Sequence, residues 1–415
     1  MNETAEIISI GSELLLPESR ETNSSEIIPR LLSLGVEVKY RSIVGDDRKE
    51  IASAVREAFR RSRWVILTGG LGPTEDDVTR EAVGEALKRP LVLNRRILTQ
   101  LQVKFSGRGR RFLKIHERQA WFPEKAVLIS NETGIAPGFI LKGKDAFLIS
   151  LPGVPSEMRQ MMEEAASFIS GRIRRKNTVL FKKYKTFGIS ESGVNEAIRD
   201  LFSDEEMTVG LLAKGTGVEI FLVSRGKTVS GARSRLLKAG REIKKRFNAL
   251  IYGEDQETLE AVVGRLLKKR GMTLSVAESC TGGLVSHRLT NISGSSAYFS
   301  GSIVSYSNEM KSRILGVPKD LIRKFGAVSS QVVSAMAEGV RIAGKSDLGL
   351  GITGVAGPGG GSAEKPVGLV YFGLADGKKE AWEEGRYFVD RAAFKLFASS
   401  RALDMVRRHL LAQKR

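Results

Sequence analysis

The first hundred residues alternate between two hydrophobic rhythms. Ala5–Ile10 is a short apolar run, Val36–Arg41 alternates, and Trp64–Thr68 is apolar and leads straight into Gly69-Gly70. Between them the apolar positions fall at helical spacing. One such stretch is Glu26–Leu34, stopped by Gly35; the other is Lys49–Arg61, with Ile51, Val55 and Phe59 on one face. Short strands alternating with helices predict an α/β domain with a mainly parallel sheet.

The rhythm then changes. Arg172–Lys176 (RIRRK) reads as a boundary, followed by strand-like Thr178–Phe187 and Gly217–Arg225 and an amphipathic basic helix over Ser230–Phe247. That mixture predicts a small α+β module. The polar turn Gly253-Glu254-Asp255 marks a second boundary. Beyond it come a helix over Thr258–Arg270, a strand over Met272–Ala277, further alternation to about Phe372, and a last helix over Arg391–Leu411. The expected division is 1–171, 172–252 and 253–415, with α/β architecture at both ends.

Composition narrows the chemistry. The chain has 415 residues, 41% hydrophobic and 27% charged, which excludes wholesale disorder. No run approaches the roughly 18 apolar residues of a membrane span. The start, MNETAEIISIGSELL, has neither a basic n-region nor a long apolar core, so no signal peptide is expected and cytoplasm is the expected compartment. The single cysteine, Cys280, excludes an internal disulfide and a Cys-rich metal site. Three histidines (His116, His287, His409) argue against a multi-histidine zinc site and leave a Ser-His-Asp triad few places to form. The net charge of +19 is uneven: 101–250 hold 28 Lys+Arg against 15 Asp+Glu, whereas 1–100 hold 15 against 16. A basic middle suits nucleic acid or anionic nucleotides, and equally a solvated surface.

The sharpest motif is Glu278-Ser279-Cys280-Thr281-Gly282-Gly283, between a strand and a helix. Ser279 is placed like a nucleophile. The amides of the helix start, having no helical partner, are expected to face outward and to receive a phosphate or an oxyanion. A serine nucleophile needs a base. His287 lies two turns along the same helix, which leaves a lysine with a lowered pKa. If Ser307 caps the next helix, Tyr306 and Lys311 occupy N′ and N4 and form a side-by-side pair. An aromatic anchor and a solvated lysine are the alternative. A thiol at a helix start has a lowered pKa, which makes Cys280 a rival nucleophile; the other reading is a small buried hydrophobe.

Further along, Thr353-Gly354-Val355-Ala356-Gly357-Pro358-Gly359-Gly360-Gly361 follows a strand-like lead-in, Leu348–Ile352. Its glycines leave amides free to cradle an anion, with Lys365 and Arg391 as candidate charges, or else form a plain surface loop. At the other end of the chain, Thr68-Gly69-Gly70-Leu71-Gly72-Pro73-Thr74 follows a buried-looking strand, with Asp76 and Asp77 just after it. A glycine turn at a strand's carboxyl end is where open α/β sheets bind ligands. The carboxylates can hold a divalent metal or stabilise a helix start. Glu13, Asp46, Asn131-Glu132-Thr133-Gly134, and Pro152-Gly153 with Glu157 lie on further turns that can converge there.

Taken together, ESCTGG, YSNEMK, GAVS, ITGVAGPGGG and EKPVG resemble the C-terminal domain of the CinA family. GSELLL, ETN (Glu21–Asn23), VGDD, TGGLGPTEDDVTRE, APGF and LPGVPSEM resemble its N-terminal domain, which is similar to the MogA-like molybdopterin-binding fold. The resemblance covers nearly the whole chain. It implies a three-layer α/β domain, a KH-like middle module and a C-terminal α/β amidase domain. It further implies that the C-terminal domain hydrolyses nicotinamide mononucleotide to nicotinate mononucleotide and ammonia. Ser279 would be the nucleophile, Tyr306 and Lys311 its partners, and Thr281, Gly282, Gly283, Thr353, Gly354, Gly357, Gly359, Gly360, Lys365 and Arg391 the substrate site.

The same resemblance makes the N-terminal domain an ADP-ribose pyrophosphatase that needs a divalent metal. Its site would comprise Glu13, Asn23, Thr68, Gly69, Gly70, Gly72, Thr74, Pro152, Gly153 and Glu157, with the metal at Asp46, Asp76 and Asp77. A homodimer is implied. Two departures stand out: Pro17 replaces a glycine of the family's first motif, and the middle module has Gly215-Thr216-Gly217 but no GxxG, so nucleic acid is not an expected partner. The rival functions are a non-catalytic nucleotide- or pterin-binding module and an accessory factor of competence or DNA damage.

Overall fold

A computed structural model describes residues 3–173 and 178–412. The expected boundary in Arg172–Lys176 falls largely outside the described residues. The chain divides into two compact units, Met1–Phe181 with Val223–Leu237, and Lys182–Leu222 with Lys238–Arg415.

The first unit holds a six-stranded sheet in the order Glu37–Val44, Thr4–Ile10, Trp64–Thr68, Phe147–Leu151, Gly138–Lys142, Val127–Ile129. The first four strands are parallel, and each of the last two pairs antiparallel with the strand before it in this order. Successive side chains point to opposite faces of a strand. Ile7, Ile66 and Ile149 therefore pack under one layer of helices (Asn23–Ser33, Pro155–Ser170), and Ile8, Val65 and Leu148 under another (Arg48–Arg61, Thr79–Ala86). This is the three-layer α/β architecture expected. The first helix starts at Asn23, three residues earlier than its apolar spacing suggests, because Asn23 is anchored by a tertiary contact to Thr68 and Ser24 N by the nearby Glu21 carboxylate, neither of which shows in the periodicity.

A four-stranded sheet (Met207–Lys214, Gly217–Gly226, Thr178–Thr186, Ile251–Glu254) and the helix Val229–Phe247 form the α+β module. Gly215-Thr216 is a tight hairpin turn, and a Cβ on Gly215 would stand 2.6 Å from the side chain of Leu396. The glycines here close a hairpin against a helix; they do not form an open clamp.

The C-terminal sheet runs Phe299–Val304, Leu274–Glu278, Leu348–Gly354, Leu369–Ala375, Glu380–Arg386, with the first three strands parallel. The helices Leu259–Arg270 and Arg391–Ala412 cover one face through Leu267, Phe394, Ala398 and Val406. Ser330–Ala343 covers the other so closely that a Cβ on Gly349 would meet the Ala337 carbonyl at 2.0 Å. These strand glycines serve packing, not a loop. Arg407, 2% exposed, bonds Asp404 and the carbonyls of Ala249 and Ile251, which ties the last helix to the end of the small module.

Candidate functional sites

The strand Leu274–Glu278 ends in the ESCTGG turn. Ser279 N donates to Ile352 O and Gly282 N to Ser279 O, so Ser279 and Gly282 close a tight turn. Glu278, fully buried, is the residue that the sequence reading missed. Its carboxylate accepts from Gly283 N (3.0 Å), Val285 N (3.1 Å), Ser286 N (2.9 Å) and Ser286 Oγ (2.6 Å). The helix-start amides expected to receive a ligand are therefore taken by the protein's own carboxylate. In this turn the amide of Thr281 has no partner among the described residues, and that of Cys280 meets only its own sulfur.

Ser307 does cap the next helix, accepting from Met310 N at 3.1 Å. That cap sends Lys311 inward. Lys311 is 1% exposed, and its Nζ lies 3.1 Å from Ser279 Oγ. It also donates to Ser305 O (2.8 Å) and Tyr306 O (3.2 Å). Burial holds this lysine below the usual ammonium range. The expected side-by-side pairing is not what joins Tyr306 to Lys311. The lysine meets the tyrosine's backbone carbonyl, while the 62% exposed phenol accepts from Arg391 Nη2 at 2.8 Å. Cys280 is buried, and desolvation pushes its thiol up to about 12, which favours the small-hydrophobe reading.

The glycine loop is fastened by the groups expected to serve it. Arg391 Nη1 donates to Gly357 O at 2.7 Å, Lys365 Nζ to Phe325 O at 2.5 Å, and Thr353 Oγ1 to Ala327 O at 2.9 Å. Lys365 and Thr353 are thus bracing groups. Gly354 ends a strand, Gly357 is packed against Val367, and Gly359 and Gly360 are open to solvent.

In the first unit, a cavity of about 550 Å³ opens at the carboxyl ends of the parallel strands. Glu13, Asp46, Gly69, Gly70, Gly72, Asp76, Asp77, Pro152, Gly153 and Glu157 all line it, so turns distant in sequence do converge. Asn23 and Thr68 lie beneath as braces: Asn23 Nδ2 donates to Thr68 Oγ1 (2.8 Å) and Gly153 O (2.7 Å), and Thr68 Oγ1 to Pro152 O (3.0 Å). Gly69 lies against the Ile10 carbonyl, where a Cβ would stand at 2.0 Å. Glu157 accepts from Asn131 Nδ2 at 2.6 Å.

The carboxylates are less available than expected. Asp77 accepts from Gly72 N (2.7 Å), Thr74 N (3.0 Å) and Thr74 Oγ1, and Asp46 from Ser12 N (2.7 Å). Asp76 is exposed, and its bond with Thr74 lowers its carboxyl. Among the described residues, no group of three or more His, Cys, Asp or Glu could hold a metal by itself. Asp46, Asp76 and Asp77 therefore do not form a protein-only metal cage. Two arginines, also unforeseen, complete the loop. Buried Arg80, held down to about 10 by desolvation, donates to Leu71 O, and Arg118 donates to Thr74 O, each at 2.6 Å. Arg108 and Arg110 bring positive charge to the cavity wall. Pro17 is exposed beyond the cavity lining, in the Leu16–Ser19 turn.

These two strand-end sites define a chain with two separate candidate ligand sites, one on each α/β sheet. Residues 256–410 match the family model described as "CinA C-terminal domain", 6–171 "Probable molybdopterin binding domain", and 182–253 "Damage-inducible protein CinA KH domain". A CinA-like protein of Dictyoglomus thermophilum is 42% identical over 98% of this chain and 99% of its own. Another, from Kosmotoga olearia, is 40% identical over the same shares. The crystal structure of competence/damage inducible protein CihA from Agrobacterium tumefaciens aligns at 39% identity over 37% of this chain and 93% of its own, with a TM-score of 0.36. The chain belongs to the CinA family. None of its described helices is long and apolar enough to cross a membrane.

Proposed function

We propose that the C-terminal domain is a serine amidohydrolase that converts nicotinamide mononucleotide to nicotinate mononucleotide and ammonia. The observation that carries this reading is the 3.1 Å approach of the buried Lys311 Nζ to Ser279 Oγ. A neutral amine has two N–H groups and one lone pair. In the neutral amine the carbonyls of Ser305 and Tyr306 would take the two N–H groups, which leaves the lone pair for the serine hydroxyl in place of the N–H that the ammonium donates to it. Ser279 Oγ attacks the carboxamide carbon and Lys311 takes its proton. The amides of Cys280 and Thr281 are the donors left for the oxyanion. On collapse the lysine returns the proton to the leaving nitrogen, ammonia departs, and water hydrolyses the acyl-serine by the same route.

The N-terminal cavity supports a second activity, cleavage of ADP-ribose to AMP and ribose 5-phosphate. Arg108 and Arg110 supply positive charge for a diphosphate, and the glycine turns supply room. A divalent cation would rest on one or two of Glu13, Asp46 and Asp76, with the substrate's own phosphate oxygens completing its shell, as hard cations accept. The cation would polarise the phosphoryl group, and the chain's own residues position the diphosphate. A homodimer belongs to the same reading.

Ammonia release from nicotinamide mononucleotide by the full chain, beside Ser279→Ala, tests the first activity; AMP release from ADP-ribose with a metal series tests the second. Release that persists in Ser279→Ala overturns the serine mechanism. Failure of both assays on folded protein favours a binding module, or the competence and damage role to which related names refer; salt-sensitive DNA binding distinguishes that last role.

A further inference from the structure

The glycine loop was expected to offer two cations to the substrate phosphate, yet Lys365 is spent on Phe325 O, and Arg391 on Gly357 O and the Tyr306 hydroxyl. Another cation faces the nucleophile turn from the last helix. Lys395 lies one helical turn after Arg391, and its Nζ comes within 3.6 Å of where a Cβ on Gly282 would be. It is half-buried and has no hydrogen-bond or ion-pair partner among the described residues. Gly282 in turn closes the tight turn that begins at Ser279. Next to it, the Thr281 hydroxyl is buried without a partner among the described residues.

We propose that Lys395 is the phosphate-recognising residue of this site and sets its preference for a mononucleotide over the unphosphorylated nucleoside. The inference rests on the amidase reading. The substrate's phosphate is a pyridine ring and a ribose away from its amide, so its cation must stand off from the Ser279 hydroxyl; the Lys395 ammonium lies beside Gly282, at the far end of the turn that Ser279 begins. An ammonium without a protein partner is a point charge free to meet a phosphate. Gly282, with φ of +60° and no side chain, leaves the approach open. Because the charge meets a group remote from the reacting bond, it contributes to ground and transition state alike and appears in KM.

The test compares nicotinamide mononucleotide with nicotinamide riboside in wild type, Lys395→Met and Lys395→Arg. The mononucleotide KM should rise about 10- to 100-fold in Lys395→Met with kcat retained, as expected for loss of a uniform binding charge. The kcat/KM ratio of mononucleotide to riboside should fall by the same factor, and arginine should restore most of it. An unchanged mononucleotide KM, or equal losses on both substrates, overturns the proposal. A second arm does not depend on turnover: calorimetric titration of nicotinate mononucleotide into Ser279→Ala and into Ser279→Ala/Lys395→Met. Lys395-dependent binding without wild-type ammonia release removes the amidase and keeps the phosphate site. Turnover without Lys395-dependent binding does the reverse.

Discussion

The two α/β domains place the same device at their sheet ends and use it differently. In each, a parallel strand runs into a glycine-rich turn, and a carboxylate just before or after the glycines takes that turn's free amides. Asp77 does this for Gly72 and Thr74, and Glu278 for Gly283, Val285 and Ser286. In the N-terminal domain the braced turn borders an open cavity lined with carboxylates and arginines. In the C-terminal domain it presents one hydroxyl to one buried amine. A glycine turn at a strand end thus marks a site without fixing its chemistry; the groups left unpaired after the turn has satisfied itself decide that.

The comparison can be broken most severely at Ser279. Removing a nucleophile costs on the order of 10⁴- to 10⁶-fold in kcat. Ser279→Ala should abolish ammonia release, keep the wild-type melting temperature and keep ADP-ribose cleavage; persistent turnover would reopen Cys280.

Lys311→Met should follow, with a loss of roughly 10²- to 10⁴-fold, the usual worth of a positioned base. The sign of its pH effect follows from burial. Desolvation lowers the lysine's pKa, and only the neutral amine accepts the serine proton. The wild-type rate should climb as pH rises through that lowered value, and the variant should lose this limb. An unchanged profile removes lysine as the base.

Glu278→Gln sharpens the comparison of the two braces. A carboxamide keeps one acceptor oxygen and turns the other into a donor facing amide N–H groups. Stability should fall by about 1–3 kcal/mol, the cost of unsatisfied buried groups. The kcat of ammonia release should fall with it, whereas AMP release should not change. Chemical denaturation beside both assays separates the effects.

Asp77→Asn is the matching change in the other domain. The exposed loop can relax, so a smaller effect is expected, about tenfold on AMP release with ammonia release intact, which is about 1.4 kcal/mol and the low end of what hydrogen bonds to a charged group contribute. Parallel loss of both activities refutes independent sites. Cys280→Ala should do least: a modest drop in melting temperature from a small cavity and ammonia release within about twofold of wild type.

Much of the fold was legible because it rests on local rules. Trp64–Thr68 coincides with its strand, Arg391 opens the last helix, and Ser307 caps its helix as the spacing requires. The glycines were legible as special positions, yet their purpose was not. Gly349 falls in the strand-like lead-in Leu348–Ile352, and only the structure shows that it lets a helix lie on the sheet. The roles of Lys365, Arg391 and Asp77 were also hidden, because a charged side chain near a glycine turn looks the same in sequence whether it awaits a ligand or has already bonded a carbonyl or amide.

The sequence by itself determined the alternation of strands and helices, the helix caps, the two glycine turns at strand ends and the position of Ser279 at one of them. These follow from periodicity, backbone freedom and nearest neighbours along the chain. Only the tertiary structure decided that Glu278 closes the helix-start amides, that Lys311 points into the core at Ser279 while Tyr306 points out to Arg391, and that Lys395 is left facing the turn without a partner among the described residues. The reason is physical. Whether a polar group is satisfied, buried or free depends on what the rest of the chain brings within about 3 Å of it, and hydrogen bonding and desolvation act at that range.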